Sequence, residues 1–228
     1  MENDTMEKKE LILAILIFPG LISVDVRNVR AATSQFWHRE TISGKMNDRL
    51  TVSCHTEYRF GDGLDNYFYQ HTEFQLIYRI NSWLSAVPAY RQVQSRPLHA
   101  AADEGRFLQH MPVLMLNGKY KWAAIGLSNR IRVERIFYEI DGERQWRFRN
   151  RFQIDFPRIC RKCQLQPILS EELFYLRQKD GFYRSRFTAG MNAVLSRYLL
   201  MTAFYRIEDD FRVHRWFPIY GLMVQFGF

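Results

Sequence analysis

Residues 49–60 read RLTVSCHTEYRF, and their alternation decides the fold. Leu50, Val52, Cys54, Thr56, Tyr58 and Phe60 fall on one face of an extended chain. Arg49, Thr51, Ser53, His55, Glu57 and Arg59 fall on the other. Successive side chains of a strand point to opposite sides, so this period of two marks a strand with one apolar and one charged face. Residues 146–156 repeat the pattern, with Trp146, Phe148, Phe152, Ile154 and Phe156 opposing Arg147, Arg149, Arg151, Gln153 and Asp155. Residues 128–137 set Arg130, Arg132 and Glu134 against Ile131, Val133 and Phe137. Residues 183–193 set Arg184, Arg186, Thr188 and Asn192 against Tyr183, Phe187, Ala189 and Met191.

Turn residues punctuate these runs: Gly61-Asp62-Gly63, Asn81-Ser82, Asn117-Gly118, Asp141-Gly142 and Asp180-Gly181. The pattern predicts strands at 35–43, 49–60, 66–80, 83–94, 106–116, 121–137, 146–157, 167–177, 182–194, 198–207 and 214–228. They are about as long as the roughly 9–11 residues a tilted strand needs to cross a bilayer, and longer than ordinary globular strands. Short links at 44–48, 81–82, 117–119 and 195–197 would lie at one end of a barrel. Longer stretches at 94–105, 138–145, 178–182 and 208–213 would lie at the other. The link at 158–166 is long for its place in that scheme. An even strand count is usual for bacterial membrane barrels, which argues for ten or twelve rather than eleven.

Composition agrees with a folded, non-helical chain. Of 228 residues, 47% are hydrophobic and 25% charged, which excludes disorder. Mean hydropathy of −0.32 excludes a helical multi-span membrane protein but not a barrel, whose strands are half polar. Three Cys are too few for a disulfide scaffold. A net charge of +8 admits nucleic acid, an anionic surface or an anionic solute as partner. Interleaved basic and aromatic residues would suit single-stranded nucleic acid, but export argues against that partner.

Export is read from the N-terminus. Lys8 and Lys9 precede the apolar run LILAILIFPGLISV at 11–24, which is too short to span a membrane as a helix. Val29-Arg30-Ala31 supplies a cleavage pattern. Residues 1–31 are therefore expected to be a signal peptide, and 32–228 the barrel domain.

A soluble barrel turns its apolar face inward, and a membrane barrel turns it outward. Three features favour the membrane. Tyr220, Leu222, Val224, Phe226 and Phe228 alternate to an aromatic C-terminus, as in strands that barrel-assembly machinery recognises. Trp37, Trp83, Trp122, Trp146 and Trp216 fall near strand ends, where indoles meet the bilayer interface. The polar face is rich in Arg with interspersed carboxylates, which can pair inside a lumen.

The stretches 36–60, 83–91 (WLSAVPAYR), 127–137 (LSNRIRVERIF) and 147–157 (RFRNRFQIDFP), the strand at 186–190 and the terminal Phe resemble the domain of unknown function 2490 family. The resemblance covers nearly all of 32–228. It implies an outer-membrane β-barrel and supplies no catalytic residues.

The candidate site is the lumen: Arg59, Arg130, Arg132, Glu134, Arg147, Arg149, Arg151, Asp155, Arg184 and Arg186, with Glu57 and Glu73. Rings of Arg attract anions, so a small anionic solute is a candidate partner. The opposing reading is a narrow lumen plugged by paired charges. Ser53, His55 and Glu57 offer the residue types of a lipid hydrolase, but side chains two apart on a strand project in parallel and do not converge. No catalytic residue is assigned, and neither a cofactor nor a metal is expected. Cys160 and Cys163 lack a second Cys/His pair, and a local disulfide suits an oxidising compartment better. The reading is an outer-membrane pore or structural barrel in contact with membrane lipid. The alternatives are a lipid-modifying enzyme and a soluble lipocalin-like barrel.

Overall fold

The computed structural model describes residues 34–61, 64, 66–96, 107–139, 142–159, 164–212 and 215–228. The proposed signal peptide and the Cys160/Cys163 pair lie outside the described residues. Eleven strands follow in order: β1 (Gln35–Lys45), β2 (Leu50–Gly61), β3 (Asn66–Arg79), β4 (Leu84–Ser95), β5 (Phe107–Trp122), β6 (Ile125–Tyr138), β7 (Arg144–Asp155), β8 (Leu165–Leu176), β9 (Gly181–Ser196), β10 (Leu199–Asp210) and β11 (Arg215–Gly227). Each pairs antiparallel with its sequence neighbour, and β1 closes the barrel against β11 in parallel.

That parallel seam explains the count. Closing an odd number of up-and-down strands forces the first and last to run the same way. Gln35 pairs with Ile219 and Ser43 with Gly227. The eleven segments of the sequence therefore stand without merging or adding one, and the even count is not needed. The first strand also starts at the opposite end from where the last one finishes. Phe228 closes the short-turn end, donating its N–H to Ser43 O at 2.9 Å and stacking on Tyr198 at 5.9 Å.

The faces are settled by adjacent residues. Glu73 is fully buried, whereas Phe74 beside it is 59% exposed. Ile42, Leu114, Leu116, Ile131, Phe152 and Phe187 share that outward apolar surface. Tyr220, Leu222, Val224 and Phe226 continue it on β11, in phase with outward Trp216 and Phe228. A wide band of exposed apolar side chains around a charged interior is the membrane arrangement, the reverse of a soluble barrel. The outward face is not wholly apolar. Glu40 accepts from His38 at 3.1 Å, and Glu171 also faces out. Asn129 and Asn150 bond to each other at 3.2 and 3.3 Å, meeting part of their hydrogen-bonding need away from water.

Three expectations change. Glu208-Asp209-Asp210, read as part of the connection at 208–213, continues β10 as strand, with Glu208 paired to Phe217 and Asp209 to Trp216. Asn117-Gly118 is strand, not turn: β5 runs on to Trp122, and Ala123-Ala124 makes the turn, with Ala123 at φ +53. Leu84 on one side and Asn129 on the other pair with Gly118, so two flanking strands override the local turn signal. Trp37 does not sit at a bilayer interface. It shares the inward phase of Arg39 and Thr41 and is 2% exposed, packed with Phe204 and Ile219 in the lumen. Gly221 makes room there: a Cβ would lie 2.1 Å from Phe204 Cζ.

Candidate functional site: the charged lumen

The lumen is built from alternation. Every second residue of each strand points inward, so the polar faces of all strands converge on one axis. The structure brings the ten residues singled out from the sequence to that inner wall. It adds Arg39, Arg91, Glu172, Arg206, Glu208 and Asp210.

Buried charges need partners, and the lumen supplies them as a chain. Arg91 Nε donates to Glu73 Oε2 at 2.6 Å, and Arg132 Nη2 donates to the same carboxylate at 2.5 Å. The second bond matters most for the shape of the lumen. Glu73 is on β3 and Arg132 on β6, so the guanidinium reaches across the interior rather than to a neighbouring strand. Glu134 accepts from Arg132, Arg147 and Arg149. Arg149 continues to Glu172 at 2.8 Å, which also takes Arg130 at 2.8 Å. Arg186 and Arg184 join Glu208, and Arg184 and Arg212 join Asp210. Arg212 lies in the connection after β10, and its bond to Asp210 raises its pKa above the usual guanidinium value.

Aromatic rings seat several of these cations. The Arg59 guanidinium lies 3.6 Å from the Trp37 ring centroid and 3.9 Å from Tyr69. Arg186 and Arg149 both pack on Phe174, at 4.5 and 4.6 Å. Cation–π contacts of this kind gain weight once water is removed. Arg206 packs on Trp37 and Phe204 and donates to Thr188 Oγ1 at 2.8 Å. Asp155 and Arg151 stand outside the ion-pair chain among the sequence candidates. Asp155 accepts from Gln153 at 2.7 Å near the short-turn end.

The paired layer of Glu73, Arg132, Glu134 and Arg149 separates two cavities. One, of about 290 Å3, lies toward the longer loops and is walled by Arg59, Arg147, Arg184, Arg186 and Arg212 with Tyr69 and Tyr183. The other, of about 350 Å3, lies toward the short turns. Its wall carries Arg39, Arg130, Arg132 and Arg151 with Thr41, Ser43, Thr51 and Ser53. Arg91 and Arg149 border both. Among the described residues, no carboxylate lines either cavity. The charged part of both walls is therefore made by arginines.

The arrangement does not assemble a hydrolase triad. His55 Nε2 lies 3.1 Å from His71 Nε2, and Glu57 is held by Arg39 and Arg59. The base and its orienter are thus each committed elsewhere. Cys54 points outward, away from the lumen. No cluster of three or more metal-ligating side chains occurs among the described residues.

Solved structures share this architecture. The KdgM porin in complex with disordered oligogalacturonate is 14% identical, with 86% of this chain and 99% of that chain covered and a TM-score of 0.49. LpxR from Salmonella typhimurium is 10% identical, with 82% and 87% covered and a TM-score of 0.51. An anion-selective porin from Comamonas acidovorans is 13% identical, with 77% and 54% covered and a TM-score of 0.37. At 10% identity the likeness to LpxR is one of fold alone. No curated protein matches the chain. The profile of the family described as Protein of unknown function (DUF2490) matches residues 34–216, and the chain belongs to that family.

Proposed function

We propose that the protein resides in a bacterial outer membrane and admits small anionic solutes to its lumen. The ion-paired layer is the barrier between an outer and an inner vestibule. The observation that carries this reading is the wall of both cavities, whose charged part is made by arginines. Converging guanidiniums in a confined space of low dielectric focus positive potential and raise the local anion concentration. The short-turn end, where Phe228 closes the last strand, faces the periplasm and presents the segment that assembly machinery engages. Lipid contacts the outward apolar band.

Planar-bilayer recording tests passage. Under a KCl gradient the reading expects small current steps whose reversal potential has the sign of chloride selectivity. An absence of steps above background would remove passage and leave a structural barrel.

A further inference from the structure

We infer that Arg130 and Arg151 form a clamp for a doubly charged tetrahedral oxyanion, such as a phosphate or sulfate group on a small solute, in the cavity at the short-turn end. The inference rests on the reading that anions enter the lumen, and it names where one is held.

Register carries the first part of the argument. Arg130 on β6 lies directly opposite Arg151 on β7. Like charges in directly opposed positions destabilise a sheet unless something neutralises them. Two residues along, Arg132 and Arg149 are also directly opposed, and Glu73, Glu134 and Glu172 neutralise them. Nothing comparable serves the Arg130–Arg151 pair. Arg130 shares Glu172 with Arg149 through one terminal nitrogen, Nη2. Arg151 has no carboxylate within ion-pair distance among the described residues.

Hydrogen bonding carries the second part. Arg130 Nε and Arg151 Nε are both buried without a partner. A buried N–H left unmade costs free energy, and a guanidinium bonds best through a two-donor edge. Turned toward the cavity that both side chains line, two such edges suit a tetrahedral dianion, which offers acceptors to both at once. A carboxylate can also bridge guanidiniums, as Glu134 does, but it brings a single negative charge to two facing cations.

The surroundings fit the rest of a solute. Thr41, Ser43, Thr51, Ser53, Gln75 and Gln225 wall the same cavity with hydroxyls and amides. They can bond to a hydroxylated body while the arginines hold the charge. The other charged groups nearby are already committed. Arg39 is held by Glu57, Arg91 by Glu73, and Asp155 accepts from Gln153.

The test uses the complete barrel, folded in detergent, with sodium phosphate and sodium sulfate titrated against sodium chloride at matched ionic strength. Thermal unfolding is followed by tryptophan fluorescence. Low concentrations matter, because both anions stabilise proteins generally when concentrated. The clamp predicts a saturable rise in the unfolding midpoint with phosphate or sulfate, and none with chloride. Arg130→Gln and Arg151→Gln should each weaken the apparent affinity about tenfold or more, as expected for a lost charged hydrogen bond. Arg151→Lys should weaken it too, since it keeps the charge but loses the fork. Lys179→Gln, in the exposed turn Arg177–Lys179 at the opposite end of the barrel, removes a charge outside this cavity and should leave the affinity unchanged. Heat-modifiable mobility on a gel confirms that each variant is folded.

An undiminished phosphate response in the double variant would overturn the clamp, as would equal responses to phosphate and chloride in the wild type. Chloride-selective steps without a phosphate response would overturn the clamp and leave passage intact. A phosphate response lost in the double variant, with no current steps in the wild type, would support the clamp and overturn passage.

Discussion

Two arginine pairs sit two residues apart on the same two strands and live in different electrostatic worlds. Arg132 faces Arg149, and Arg130 faces Arg151, each directly across the β6–β7 ladder. Geometry and residue type are the same; the carboxylates are not. The first pair is embedded in three glutamates and blocks the middle of the lumen. The second shares one carboxylate through a single guanidinium and opens onto a cavity. A charge ladder therefore cannot be judged by its arginines alone. The placement of the acids decides which rung is scaffold and which rung is free to bind.

Glu134 is where the comparison breaks most sharply. Glu134→Gln leaves Arg132, Arg147 and Arg149 facing one another with one carboxylate fewer. The expected loss is about 3–5 kcal/mol, the range for removing one partner of a buried ion pair. Urea unfolding in detergent micelles would measure it, and an unchanged midpoint would contradict the scaffold role. In bilayers the same variant should gate more often, because the barrier layer loosens.

Arg132→Gln cuts the tie from β6 to β3 and should cost about 3 kcal/mol by the same reasoning. Arg151→Gln should behave in the opposite way. It removes a cation with no carboxylate of its own and relieves a directly opposed like-charge pair, so stability in chloride should hold or rise by up to about 1 kcal/mol. If Arg151→Gln proves as damaging as Arg132→Gln, the two rungs are not different and the comparison fails.

The smallest test uses neighbours that point in opposite directions. Glu172 faces inward onto Arg130, Arg149 and Arg186, and Glu171 faces outward. Glu172→Gln should destabilise. Glu171→Leu should be neutral or slightly stabilising, since a carboxylate on the lipid face carries a modest cost. A double comparison by equilibrium unfolding checks the sign of both.

Much of this was legible in the sequence. The alternation at 49–60 gives β2 its phase directly, and the runs around Arg130 and Arg149 place the charged ladder on β6 and β7. Local period is strong evidence where one face is wholly apolar. It failed at Asn117-Gly118, where partners on both sides hold the chain extended through a turn dipeptide. It also failed for Trp37, because a position near a strand end says nothing about which face the ring takes. The closure of eleven strands was not legible, since the parallel seam is a long-range pairing with no local signal. Glu208 was missed because it was read into the connection at 208–213; Arg39, Arg91 and Glu172 were missed for a related reason. Their strands mix polar residues on both faces, as Glu171-Glu172 and His38-Arg39-Glu40 show. Only the register of neighbouring strands reveals which of them point inward. Across-lumen contacts such as Arg132 to Glu73, 59 residues apart, are beyond any reading of sequence neighbours.

The barrel encloses its charged face and turns its apolar face to lipid. Residues 32–228 refolded in detergent should migrate differently in SDS before and after boiling, because a closed hydrogen-bonded barrel with no free edge resists SDS until heated. A shift on boiling is the predicted result. No shift, from a protein that stays monomeric and soluble without detergent, would contradict the account and turn the apolar face inward.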